Sequence, residues 1–261
     1  YFLHFNANKR GITLDLSKNY GITLFHKLVS TADVVIETSP PGHMESLGIG
    51  YSSLKEINPR IVVTSITPFG HSGPYKDFRA TDIVSFAMGG LMALSGEPDR
   101  PPCVAPGEVA YGMASAFAAL GTLVAIYHSK LTGNGQQVDT SAHASSVHIA
   151  GYAVPVFSAT GHMGFRKTWS ERTFDINDLY PCTDGYVRFC VLPKAQWDSM
   201  VEWLGSPEIL NSPVFADQQF RRENSEIIDP YVLELTESQP KNEIYIEGQG
   251  RHIAVTPVNT P

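Results

Sequence analysis

The residues of this chain that could do acid–base, nucleophilic or metal chemistry are scattered, not grouped. There are nine histidines, and His143 and His148 stand five apart with no His-Glu-x-x-His pair anywhere. A zinc site needs ligands that close around the ion, so no metal centre is expected. Cys103, Cys182 and Cys190 are odd in number, far apart and outside any Cys-x-x-Cys pattern. Neither a disulfide framework nor a structural zinc site follows from them, and a reducing cytoplasm is the expected compartment. The sequence holds no Gly-x-Gly-x-x-Gly after a strand, no Walker A lysine loop and no Gly-x-Ser-x-Gly. A dinucleotide fingerprint, a P-loop and a nucleophile elbow are therefore unsupported. Glu108 stands just ahead of Val109 to Ser129, a stretch free of Asp, Glu, Lys and Arg. A carboxylate at the start of a helix is favoured by the helix dipole without any catalytic role.

The elements that must position such groups alternate in the first third. Gly11 to Leu16 alternates as a strand does, and Ser17 to Ser30 carries Ile22, Leu24, Phe25 and Leu28 at helical spacing. Ala32 to Glu37 is a β-branched run of the kind buried on both faces of a parallel sheet. A short helix over Tyr51 to Asn58 and a strand over Ile61 to Ile66 follow. This order implies an α/β domain with a parallel sheet. Ligands of such sheets bind beyond the carboxyl ends of the strands, here the loops at 38–42 and 67–73. Further helices are expected over Asp82 to Leu94, Val109 to Lys130 and Ser141 to Tyr152, with a strand over Gln136 to Thr140. Residues 161–178 read as a linker. From 179 the grammar changes to a hairpin around Asp184-Gly185 and a helix over Gln196 to Leu204, a smaller α+β domain over 179–261 after a large domain over 1–160.

Composition sets outer limits. Of 261 residues, 43% are hydrophobic and 17% charged, enough for a packed core. A net charge of −7 argues against non-specific nucleic-acid binding, which rests on a cationic face. The apolar stretch from Val109 is long enough to span a bilayer, but it is rich in Ala and Ser and carries Gly112, Gly121 and His128. It is expected to be a buried helix of a soluble domain, with no membrane partner. The chain opens without an initiator Met and stops mid-phrase at Val258-Asn259-Thr260-Pro261, so it is expected to be cut from a longer protein.

Several phrases, taken in order, resemble the class III CoA-transferases, which include formyl-CoA transferase, carnitine and benzylsuccinate CoA-transferases and α-methylacyl-CoA racemase. They are Asn6-Ala7-Asn8-Lys9-Arg10-Gly11-Ile12-Thr13-Leu14-Asp15-Leu16, Ala32 to Gly42, Leu47-Gly48-Ile49-Gly50-Tyr51, Asn58-Pro59-Arg60-Ile61-Val62, Phe69-Gly70-His71-Ser72-Gly73-Pro74-Tyr75, Thr132-Gly133-Asn134-Gly135-Gln136-Gln137-Val138-Asp139 and Thr256-Pro257-Val258-Asn259-Thr260. The resemblance implies a Rossmann-like large domain, a small domain and an interlocked dimer, as a homodimer or with a homologous subunit. It also implies a further strand before residue 1 and a returning segment after residue 261. Without these, the sheet of residues 1–261 would have an open apolar edge and no stability of its own. Coenzyme A or an acyl-CoA would be the substrate, with an organic acid as acceptor and no tightly bound cofactor.

By the same resemblance, Leu14, Thr38, Ser39, His43, Ser46, Leu47 and Arg79 fall where family members touch coenzyme A. Arg79 is the strongest on physical grounds, because a guanidinium forks onto phosphate oxygens. Thr38-Ser39 replaces the family's Asn-Phe, and Ser46 replaces an arginine. The family's nucleophile is an Asp just inside the long helix, which attacks the acyl-CoA to form a mixed anhydride and then an enzyme thioester. Counting back from Thr132-Gly133-Asn134-Gly135-Gln136, that position holds Tyr111. Glu108, about one turn earlier, would serve only on a different backbone path. The racemase's His position holds Thr81, so its acid–base pair is missing as well. Three readings remain: an active transferase using a displaced carboxylate, a silent subunit paired with a homologue that keeps the Asp, and a CoA-binding pseudoenzyme.

Overall fold

The computed structural model describes residues 2–151, 153–161, 163, 166, 176 and 178–260. The chain divides into two compact units, 1–166 and 167–261. The boundary falls inside the segment read as a linker. Most of that segment lies outside the described residues, but Arg166 donates from Nε to the Glu97 carbonyl (3.1 Å), which ties it to the first unit.

In the first unit, helix α1 (Asn19–Val29) leads to strand β1 (Val34–Glu37), helix α2 (Tyr51–Ile57) and strand β2 (Val62–Thr67). Helix α3 (Asp82–Met88), helix α4 (Val109–Thr132), strand β3 (Gln137–Ser141) and helix α5 (Ala142–Ile149) follow, and the unit also has helical segments at Phe2–Phe5, His43–Ser46 and Ala153–Thr160. The sheet is parallel throughout, in the order β1-β2-β3. β2 is central and buried at five of its six positions, which is what its run of Val, Thr, Ser and Ile on both faces requires. Val29, Ile49, Leu54, Ile61 and Val63 form the core beneath α1 and α2.

Two expectations are corrected. Gly11 to Leu16 forms no strand. An alternating pattern becomes a strand only when a neighbour completes its ladder, and no described strand lies beside it. The segment ends instead in a local turn, where the Asp15 carboxylate accepts from both the backbone N–H and the hydroxyl of Ser17 (2.9 and 2.7 Å). The helix expected over Asp82 to Leu94 is split: α3 stops at Met88, and Met92–Leu94 is a separate 3-10 turn after Gly89-Gly90.

The long helix α4 is buried on one stripe, not all round. Ala110, Ala114, Ala118, Thr122, Ala125 and Ser129 face inward, while Leu120, Leu123, Val124, Tyr127 and Leu131 are exposed in this chain. The helix is long and apolar enough to cross a membrane by length and composition. Small side chains at three- and four-residue steps make one flat face, so the helix axis comes close to the sheet. Two hydroxyls mark the contact. Thr122 Oγ1 donates to the Ala118 carbonyl (2.6 Å), so Thr64 Oγ1 on β2 is the donor in its 2.6 Å bond to Thr122. The helix ends at Gly133, whose φ of 77° no β-carbon residue adopts easily. The next glycine has a different reason: a β-carbon at Gly135 would run into the Ile61 carbonyl oxygen.

The second unit is built on an antiparallel sheet of β4 (Leu179–Cys182), β5 (Gly185–Phe189) and β6 (Val255–Pro257). The expected hairpin is present, with its turn at Thr183-Asp184, and the expected helix spans Lys194–Trp203. Its core gathers Tyr180, Val187, Phe189, Trp197, Met200, Ile228 and Ile244. Arg221 is fully buried there, stacked 4.6 Å from the Trp197 ring and donating to the Phe215 carbonyl.

Replacing Thr122 by Val orphans the buried Thr64 hydroxyl, which should cost about 1–3 kcal/mol of stability in the full chain. Adding Thr64→Val should recover most of that loss in urea denaturation. A double variant no more stable than the Thr122→Val single would refute this account of the helix–sheet contact.

Candidate functional site

The carboxyl ends of β1 and β2 open into a cleft of about 700 Å³. Its walls are the loop after β1 (Thr38, Ser39, Pro40, Pro41), the loop after β2 (Pro68, Lys76 to Thr81) and Val84 at the start of α3. Backbone groups in both loops are tied by side chains from the strand ends. Glu37, the last residue of β1, accepts the Ser39 N–H on Oε2 (2.7 Å). Thr67 Oγ1 accepts from Gly70 N–H (2.9 Å), and the Asp139 carboxylate on β3 accepts from His71 N–H (2.9 Å). The Pro68 carbonyl accepts from His143 N–H (2.9 Å) and from the Ser141 hydroxyl (3.3 Å). The His71 ring lies with Nε2 3.9 Å from Glu37 Oε1, beyond hydrogen-bond distance, and that nitrogen is buried with no hydrogen-bond partner among the described residues.

The second loop also carries its own aromatic packing. Phe69 contacts Tyr75 and Phe78 at ring-centre distances of 5.8 and 6.4 Å, and Tyr75 contacts Phe78 at 5.3 Å. This holds out two cations. Arg79 is exposed and has no ion pair among the described residues, and Lys76 lies 3.1 Å from Asp77 at the surface. An exposed pair of that kind is weak and leaves the ammonium available to an anion.

The residues expected from the sequence divide accordingly. Thr38, Ser39 and Arg79 line the cleft. Leu14, His43, Ser46 and Leu47 lie outside its lining. Leu47 packs against the core beneath α1 and α2, and the Ser46 hydroxyl donates to the His43 carbonyl (2.7 Å) within the single helical turn His43–Ser46. Sequence reasoning missed Lys76 and Phe78. The signal was their place in the same Tyr75-Lys76-Asp77-Phe78-Arg79 run that brought out Arg79.

A second chamber of about 450 Å³ adjoins the first and shares Thr38, Pro68 and Ala80 with it. Its other walls are Ile66, Thr67, Tyr111, Ala114, Ser115 and Ala142. Tyr111 sits in the first turn of α4, and its backbone N–H donates to Asp82 Oδ1 (2.8 Å). Partial burial pushes the Tyr111 phenol above its ordinary value, and the charges of Asp82 and Glu108 add to this. The phenol is thus a neutral O–H at physiological pH. Glu108 is the residue before the first turn of α4, exposed and outside both linings. No group of metal-ligating side chains occurs among the described residues.

Comparison with known proteins agrees with this architecture. Succinyl-CoA:(R)-benzylsuccinate CoA-transferase subunit BbsE of Thauera aromatica is 32% identical over 268 residues, covering 99% of this chain and 65% of that protein. Succinyl-CoA–D-citramalate CoA-transferase of Chloroflexus aurantiacus is 32% identical, covering 88% of this chain and 57% of that protein. A crystal structure of a CAIB/BAIF family protein from Brucella suis superposes with a TM-score of 0.78 at 28% identity, covering 97% of this chain and 67% of that one. The chain thus spans about two thirds or less of the length of these relatives. The profile of CoA-transferase family III matches residues 1–261, and the chain belongs to that family.

Proposed function

We propose that this protein takes part in CoA transfer between an acyl-CoA and an organic carboxylate, as the subunit that holds the thioester without supplying the nucleophile. The observation that carries the reading is the chamber at Tyr111. Among the described residues, its lining contains a neutral phenol and no carboxylate. The covalent route needs a carboxylate oxygen to attack the thioester carbonyl while the CoA thiolate leaves, forming an anhydride. A phenol near pKa 10 or above is not an anion at neutral pH, and an aryl ester is not an anhydride. A homologous subunit with a carboxylate at the matching position would complete the enzyme. One of the relatives is itself named as a subunit, which supports a paired assembly. Three free cysteines among the described residues favour a reducing, cytoplasmic setting.

The adjoining cleft suits the nucleotide end of coenzyme A. Arg79 and Lys76 offer charge to its phosphates, and the exposed ring of Phe78 between them offers a face for stacking. The thiol end would then point toward the shared wall of Thr38, Pro68 and Ala80 and enter the Tyr111 chamber.

Three outcomes test this. Arg79→Ala should weaken CoA about tenfold in calorimetry, as loss of one charge-assisted contact implies, with NAD giving no heat in either protein. The difference in tyrosinate absorbance between the protein and Tyr111→Phe should titrate above about pH 10. Stability that depends on the neutral phenol is complete below that pH and is lost as pH rises through the raised value. Co-expression of the full chain with its homologue, followed by hydroxylamine trapping during turnover, should place the acyl adduct on the homologue alone. An adduct on Glu108 or any other carboxylate of this chain would restore the reading in which it is itself the catalyst.

A further inference from the structure

The Tyr111 chamber has a chemical character of its own, apart from the missing nucleophile. Ile66, Ala80, Ala114 and Ala142 give it hydrocarbon walls, and its polar groups are hydroxyls. No Lys, Arg or His is in its lining among the described residues. Two carboxylates act on the Tyr111 phenol: Asp82, at the start of α3, which accepts the Tyr111 N–H, and Glu108, the residue before α4. The two cations of the site, Lys76 and Arg79, line the outer cleft and not this chamber.

We infer that the chamber selects an acyl group with an uncharged hydrocarbon end and rejects one that ends in a second carboxylate. This rests on the reading of the outer cleft as the CoA seat. The argument is one of solvation and field. A carboxylate entering the chamber gives up part of its water and, among the described lining residues, meets hydroxyls but no opposite charge. Asp82 and Glu108, whose charges act on the Tyr111 phenol alongside its partial burial, offer it no attraction. A hydrocarbon end loses nothing and is taken out of water against the Ala and Ile walls. The volume of about 450 Å³ leaves room for several carbons. The preference departs from the succinyl-CoA that appears in the names of two relatives, because the succinyl group ends in a carboxylate.

Butyryl-CoA and succinyl-CoA make the cleanest comparison, since each acyl group has four carbons and only one carries the extra charge. Calorimetry with the full chain should show butyryl-CoA binding at least tenfold more tightly than succinyl-CoA. Affinity should rise roughly threefold for each methylene from acetyl-CoA through butyryl-CoA to hexanoyl-CoA. Ser115 is exposed on α4 and lines the chamber, so Ser115→Lys adds a cation there at little cost to the helix. In that variant succinyl-CoA should match or exceed butyryl-CoA, with an unchanged circular dichroism melt showing that the fold is intact. If free CoA binds but succinyl-CoA equals or exceeds butyryl-CoA in the unmodified protein, the inference is overturned and the CoA seat stands. If neither CoA nor any acyl-CoA binds, both readings fall together.

Discussion

The closeness of helix α4 to strand β2 is the constraint on which the site depends. It is set by side-chain size. Ala114, Ala118 and Ala125 keep the buried stripe small, Ala110 at its start packs with Phe86 and Leu91, and Thr122 and Ser129 fill the remaining steps with hydroxyls that bond across or back. Ser129 fixes the far end by donating to the Arg60 carbonyl (2.7 Å). Larger residues along that stripe would lift the helix off β2, and packed interiors have no slack to absorb the change. Because α4 runs over the central strand, its first turn lies beside the loop that follows β2. Tyr111 therefore meets Thr67, Pro68 and Ala80 at one chamber, although more than thirty residues separate them in sequence.

A second level of order comes from polar groups at the strand ends. Glu37, Thr67, Asp139 and Ser141 each leave the sheet with a side chain that accepts from or donates to the loop backbone next to it. Loops at the ends of parallel strands would otherwise hold unpaired amides in many arrangements, and each residue fixed costs about 1–2 kcal/mol of conformational entropy. Local bonds of this kind recover part of that cost and leave the loops in one shape. The cations of the site thus sit on a braced loop with aromatic packing of its own. A ligand meeting such a site has less ordering to do on binding.

The chemistry of Tyr111 follows from where it stands. An Asp at the head of a helix is an anion at neutral pH with an ordinary pKa near 4, while a phenol is near 10, a gap of roughly six units or about 8 kcal/mol in the cost of forming the anion. The surroundings of Tyr111 widen that gap, since burial and two neighbouring carboxylates act in the same direction. Hydrogen-bond donation is what remains open to it.

Much of this was legible in the sequence. The β-branched run at 62–67 specifies the central strand, buried at five of six positions, but the similar run at 34–37, expected to be buried on both faces, forms an outer strand with Ile36 exposed, because among the described residues only one of its sides is paired. The ordered phrases from Asn6 to Thr260 identify the family. Asp184-Gly185 marks the hairpin. Other features depend on partners that spacing cannot reveal. Gly11 to Leu16 has the pattern of a strand but no neighbour to complete its ladder. The apolar stretch from Val109 reads as a buried helix, yet only one stripe of it is buried and the other face is exposed in this chain. Lys76 joins Arg79, and Asp82 reaches the Tyr111 backbone, only because the turn after β2 and the start of α3 bring them there. A periodic pattern records which faces want burial. What covers each face, and which charges converge on one cavity, is fixed only when distant segments pack together.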